Sequence, residues 1–221
     1  FNIKRAIARI QLFQTNEGGF SYWPGEGLTS EFGSNYAGHF LLEAEKQGYM
    51  IPSAMKTNWL KYQKEKAKKW GERMPSFFEM HDEETHQFLQ AYRLYTLAIN
   101  NTAELGAMNQ LREEKNLKPQ ARWRLAAAFK LIGQYEVAAL LIRNLALESS
   151  PYRELSYGYG SANRDRAMIL ETLSLLKDPR ANEQAQKIIA TLNNGEWLST
   201  QETAYTLMSL CKHYTGTNTT S

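Results

Sequence analysis

The sequence predicts an all-α protein built of helical hairpins. Apolar residues recur every three or four positions in segment after segment, period-two alternation is nearly absent, and short Gly and Pro breakers separate the segments. With 221 residues, 43% of them apolar and 22% charged, the chain can bury a proper core as one large domain or two small ones.

The spacing predicts about ten helices. Ile3, Ile7, Ile10 and Phe13 open the series, followed by Tyr36, Phe40, Leu41 and Ala44. Phe88, Ala91, Tyr92, Tyr95 and Ala98 form the next stripe, then Leu125, Phe129 and Ile132, then Val137, Leu140, Leu141 and Leu145. Met168, Leu170, Leu173 and Leu176 follow, then Ile188, Ile189 and Leu192, and last Ala204, Leu207, Met208 and Cys211. Gly48, Gly133 and Gly195 stand just past periodic runs, where a residue with positive φ closes a helix, while Pro52, Pro119 and Pro179 stand where the next one starts. Ser199 followed by Glu202 fits a capping box, which gives both residues a structural task. Helix starts near Ser34, Asp82, Pro119, Ser161 and Ser199 fall roughly forty residues apart, the length of two helices with their turns. Such hairpins either stack into an open solenoid or close into a double ring with one helix of each pair inside. The apolar run Ala126 to Phe129, with Leu131 and Ile132, suits an inner helix buried on more than one side.

Composition narrows the functions. The formal net charge is +3, and the basic stretch Lys61 to Lys69 reads as a solvated helix face, so no nucleic-acid partner is expected. One cysteine, Cys211, rules out an internal disulfide and a Cys-rich metal site; its helical context predicts a buried apolar side chain. No stretch is long and apolar enough to span a membrane, and Phe1-Asn2-Ile3-Lys4-Arg5 lacks the regions of a secretory signal. The chain begins inside a helical pattern, which predicts a fragment of a much larger multidomain protein with any export signal upstream. Residues 215–221 are expected to form a flexible tail. His81-Asp82-Glu83-Glu84-Thr85-His86 concentrates metal-capable groups, but the two histidines are not an i, i+4 pair on one helix face, so no metal site is predicted. Asp82 reads instead as a helix cap with acidic first-turn neighbours. Gly158-Tyr159-Gly160 lacks the strand and the Lys-Ser/Thr of a phosphate loop, and no cofactor is expected.

Two segments are more specific. Gln14, Gly18, Gly19 and Phe20 lead to Trp23 in a Gln-x-x-x-Gly-Gly-Phe-x-x-Trp pattern, and Trp197, Ser199, Gln201 and Glu202 belong to Trp-Leu-Ser-Thr-Gln-Glu-Thr-Ala-Tyr near the other end. With Tyr36 to Ala44, Gly48 to Pro52 and Ser161 to Ala167, they resemble the thioester domain of bacterial α2-macroglobulins over nearly the whole chain. The resemblance implies a single α/α toroid over 1–221, an incomplete six-pair ring related in shape to complement thioester domains and the terpenoid cyclase-like superfamily. It also implies broad-spectrum endopeptidase inhibition by entrapment, in host defence or colonisation. Target proteases are met through the full-length protein, alongside other domains of the same polypeptide. The implied location is the periplasm or cell envelope of a Gram-negative bacterium, with lipid anchoring through an upstream segment.

The family's reacting pair lies in a Cys-x-Glu-Gln motif, which this chain lacks, so neither a catalytic group nor a thioester Cys/Gln pair is expected within it. A thioester survives only when shielded from water. Tyr22 and Trp23, beside the Pro24-Gly25 turn, are candidates for that cover or for interdomain contacts, although packing between helix ends also explains them. His81 and His86 are further candidates for shielding or interdomain contacts; they lie in a stretch broadly comparable to that of a histidine assisting acyl transfer in complement relatives, without a matching local motif, and a helix-start or surface role also explains them. Two alternatives stay open: an α/α-toroid enzyme acting on a glycan or an isoprenoid, for which the Asp-x-Asp-Asp acid motif is absent, and a helical-repeat binding scaffold.

Overall fold

A computed structural model of the chain describes residues 2–71, 83–148, 152–153, 160–195 and 197–217. Among the described residues it holds α1 (Asn2–Gln11), α2 (Glu31–Lys46), α3 (Ser53–Lys68), α4 (Glu83–Ile99), α5 (Leu105–Arg112), α6 (Pro119–Leu131), α7 (Tyr135–Ile142), α8 (Ala162–Leu176), α9 (Arg180–Asn193) and α10 (Thr200–Thr217). No sheet joins them, only isolated antiparallel bridges at Gln14–Phe20, Phe20–Ser30 and Arg153–Ser161.

The helix ends follow from local chemistry. Pro119 opens α6, where its missing N–H is no loss, and Pro52 and Pro179 sit at the caps of α3 and α9. Gly48 and Gly133 take positive φ just past α2 and α6. In each case the next N–H reaches back to close the helix, from Tyr49 to the Ala44 carbonyl and from Gln134 to the Phe129 carbonyl. The start of α2 differs from expectation. It falls at Glu31, slightly before the expected start near Ser34: Ser30 is the cap, accepting from the Gly33 N–H at 2.9 Å, while Ser34 lies a turn further in and donates back to the Ser30 carbonyl at 2.6 Å. Helix α10 runs through Thr217, so Thr215, Gly216 and Thr217 of the expected tail are helical, and 218–221 lie outside the described residues.

The chain divides into two compact units, Phe1–Leu117 and Lys118–Ser221. In the first, α4 packs against α2, α3 and α5, and α1 against α2. Every residue of α4 from Gln87 to Ala98 is buried, and its polar members are satisfied. Arg93 binds Glu31 at 2.7 Å, Gln63 at 3.2 Å and Gln90 at 2.6 Å, and Gln63 donates to Asn35 at 2.7 Å. This network ties α2, α3 and α4. Burial opposes ionisation of Glu31, but Arg93, Lys66 and His86 together hold its carboxyl below the usual range.

In the second unit, α8 packs against α6, α9 and α10, and α6 against α7. The run Leu125 to Phe129 of α6 is buried throughout, as the sequence predicts for an inner helix. Glu171 of α8 ties three helices, accepting from Arg124 of α6 and from Lys212 of α10, each at 2.6 Å. Two expectations fail here. Leu140 is exposed, because α7 buries only the side carrying Ala138, Leu141 and Ile142. Cys211 is exposed as well, because α10 turns its polar side, not its apolar one, toward α8.

Candidate functional site

The Gln-x-x-x-Gly-Gly-Phe-x-x-Trp segment forms a turn seated on α2 and α3. Gln14 anchors it by donating from Nε2 to the Gly18 and Met55 carbonyls, both at 2.9 Å. Gly18 has φ +95°, and a side chain there would collide with the Asn58 carbonyl, so only glycine fits. Gly19 is pressed against Thr29, Ser34 and Tyr62. Phe20 is buried, and its N–H donates to Ser34 Oγ at 2.8 Å. Beneath this, the Trp59 indole donates to the Ser34 carbonyl at 2.8 Å and lies against Gly38, where a Cβ would enter the ring. Thus Gln14, Gly18, Gly19 and Phe20 are brought together as structure.

What the turn presents outward is aromatic. Ser21 fastens the base, donating to the Phe13 and Trp23 carbonyls at 3.1 and 2.7 Å. Beyond it Trp23 is 72% exposed, with Tyr22 at 43% and Leu28 at 78%, a concentration of apolar surface on one short loop. Packing between helix ends therefore does not explain Trp23. His86, in the first turn of α4, is half-buried and within electrostatic reach of Glu31. His81 and Asp82 lie outside the described residues.

The closing segment is organised by charge. Ser199 and Glu202 form the predicted capping box: Ser199 N–H donates to Glu202 Oε2 at 2.7 Å and Glu202 N–H to Ser199 Oγ at 3.2 Å. The same carboxylate also accepts from Ser161 Oγ at 2.7 Å and Arg153 Nη2 at 3.4 Å. Ser161 in turn caps α8 by accepting from the Arg164 N–H, so one glutamate joins the N-terminal ends of α8 and α10. Glu202 is 2% exposed. Burial opposes its charge, yet the bonds from Ser161 and Ser199 and the Arg153 charge outweigh that and hold its pKa below the usual range. Trp197 stacks on Arg153, whose guanidinium lies 4.9 Å from the ring centre. Gln201 is half-buried, and its Oε1 has no partner among the described residues. The link from Ser161 to Glu202 escapes a sequence reading, since forty-one positions separate them; only the box itself has a local signature.

Neither segment assembles a nucleophile, base and acceptor site, and no group of three metal-capable side chains occurs among the described residues. No protein-family model matches the chain. It is 28% identical over 212 residues to the α2-macroglobulin of Escherichia coli strain K12, an alignment covering 89% of this chain and 12% of that protein. The chain is similar to part of the bacterial α2-macroglobulins. The helical fold agrees: Salmonella α2-macroglobulin reacted with methylamine superimposes with a TM-score of 0.77 at 25% identity, covering 93% of this chain and 14% of that one. Trypsin-activated α2-macroglobulin from E. coli gives a TM-score of 0.73 at 25% identity, with the same two coverages, 93% and 14%. The chain thus spans about an eighth of the length of the curated α2-macroglobulin it matches (12%). Within that span, the two signature segments have architectural roles: a glycine turn at one end and a carboxylate-centred helix cap at the other.

Proposed function

We propose that the chain is the thioester-type domain of a bacterial α2-macroglobulin-like broad-spectrum protease inhibitor, contributing an enclosing helical scaffold and no catalysis of its own. The observation that carries this reading is the match over nine-tenths of the chain, in sequence and fold, to bacterial α2-macroglobulins whose structures include a trypsin-activated form from E. coli and a methylamine-reacted form from Salmonella. The reactive bond is supplied from outside these residues, since the one cysteine, Cys211, is followed by Lys-His-Tyr and not by the Cys-x-Glu-Gln pattern. The helical hairpins are of the α/α-toroid class shared with the terpenoid cyclase-like superfamily, and the full polypeptide works in the periplasm or cell envelope of a Gram-negative bacterium, anchored by lipid upstream. Exposed Tyr22 and Trp23 cover the reactive bond or meet another domain; His86, whose charge acts on Glu31, has a structural role.

Two measurements on the full-length protein test this. Incubation with trypsin is expected to yield a complex that no longer degrades a large protein substrate while still cleaving a small peptide; unimpaired digestion of the large substrate overturns the inhibitor reading. Methylamine is expected to add one amide and release one thiol, seen by intact mass. An unchanged mass with trypsin still captured removes the thioester and keeps the trap.

A further inference from the structure

Helix α10 is fastened to α8 at points set in step along both helices. At its start, Glu202 accepts from Ser161 at 2.7 Å. Near its end, Lys212 donates to Glu171 at 2.6 Å, and the next residue, His213, is only 4% exposed. Both ring nitrogens of His213 are engaged: Nδ1 lies 3.0 Å from Ser174 Oγ of α8, and Nε2 lies 3.0 Å from Asn182 Oδ1 of α9. An amide oxygen only accepts, so Nε2 carries the proton, and Nδ1 of the neutral ring accepts from the Ser174 hydroxyl. One imidazole thus joins three helices, with the Tyr214 ring edge-on to it at 5.0 Å between centres.

We propose that His213 is a pH-sensitive clasp within the second unit: its neutral ring holds the last turns of α10 to α8 and α9, and its protonation in mild acid releases them. The bonds themselves survive a second proton, because Ser174 Oγ accepts as readily as it donates. The cost lies in the charge. A buried imidazolium gives up hydration, and its two partners, a serine and an asparagine, are neutral and put no opposite charge in its place. The charged groups on the packed helices are already matched, or are themselves cationic. On α8, Glu171 is shared by Arg124 and Lys212, so that cluster holds two cations for one anion, and Lys177, one turn beyond Ser174, is exposed. Ahead of Asn182, Arg180 is paired with Asp178 at 2.7 Å, and just after it Glu183 is paired with Lys187 at 3.0 Å. Burial accordingly holds the His213 pKa below the ordinary histidine value. A group whose folded pKa is lowered contributes fully above its unfolded value, and that contribution is lost as pH falls toward the folded one. The start of α10 behaves differently over this range, because the Glu202 carboxyl, held below the usual carboxylate range, keeps its charge. Helix α10 therefore opens from its end while its start stays fixed. The clasp rests on the packing of the second unit and on no part of the inhibitor reading.

Hydrogen exchange read by mass spectrometry on the full-length protein, at about pH 7.5 and about pH 5.5 with exchange times scaled for the intrinsic amide rate, follows the two ends of α10 separately. A peptide covering residues 208–217 is expected to lose protection several-fold at the lower pH, with about tenfold as the ceiling one pH unit below the unfolded histidine value. A peptide covering residues 200–206 should change by less than about twofold. Unchanged protection of 208–217, or an equal loss at both ends, overturns the clasp. His213→Gln supplies a neutral donor and acceptor and is expected to abolish the pH dependence. Asn182→Asp, at an exposed position, decides the matter should that variant fail to fold. A carboxylate facing Nε2 favours the imidazolium, so the end of α10 should then keep or gain protection in mild acid. An acid-induced loss that persists undiminished in either variant overturns the proposal.

Discussion

The two signature segments turn chain into helix by opposite means. The opening turn is held by shape: glycines sit where backbone and rings leave no room for a Cβ, and its bonds are neutral, from Gln14, Ser21 and Ser34. The closing segment is held by charge, with the Glu202 carboxylate gathering a backbone N–H, a serine hydroxyl and an arginine. Shape is indifferent to pH and intolerant of added volume, whereas a buried carboxylate tolerates modest changes of volume and responds to protons.

Substitutions sharpen that contrast. Gly18→Ala is expected to cost the most, about 3 kcal/mol in urea denaturation, because it forces alanine into positive φ and against the Asn58 carbonyl; a loss that varied with pH would break the comparison. Glu202→Ala should cost about 2 kcal/mol by leaving the Ser161 hydroxyl and the Ser199 N–H without their acceptor. Glu202→Gln keeps the volume and should cost about 1 kcal/mol near neutral pH. Acid titration tests the cause. The folded pKa of Glu202 lies below its unfolded value, so its contribution is complete above the ordinary carboxylate range and is lost as pH falls through the folded value. The stability gap between wild type and Glu202→Gln should therefore narrow on acidification, while the gap to Gly18→Ala stays constant. The smallest effect belongs to Trp23→Ala, within about 0.5 kcal/mol, since the ring is mostly exposed; a large loss would mean that the loop is held by its aromatics and not by Gln14 and Gly18.

Much of this architecture is legible in one dimension. Periodicity finds the helices, and the glycines after α2 and α6, the prolines before α3 and α6, and the capping box at Ser199 are local signals that local physics obeys. The misreadings are tertiary. The start of α2 falls earlier than the expected position near Ser34, because Ser30 takes the cap while the Ser34 hydroxyl is engaged by the Phe20 N–H and the Ser30 carbonyl. Cys211 shares an apolar stripe with Leu207, which spacing alone assigns to the core; α8 offers Ser161, Ser174 and Glu171 on its facing side, and these select the polar side of α10 instead. Periodicity detects a face but not the chemistry of what it meets. Of the site residues, the Gln14 turn and the Glu202 cap are legible, and the exposure of Trp23 is not.

The Trp59 ring set into the gap at Gly38 has a mechanical meaning. Sliding α3 along α2 by even one helical turn would lift the indole out of its notch and onto side chains, breaking its bond to the Ser34 carbonyl at the same moment. The pair therefore resists shear as a ratchet tooth does, yielding all at once or not at all.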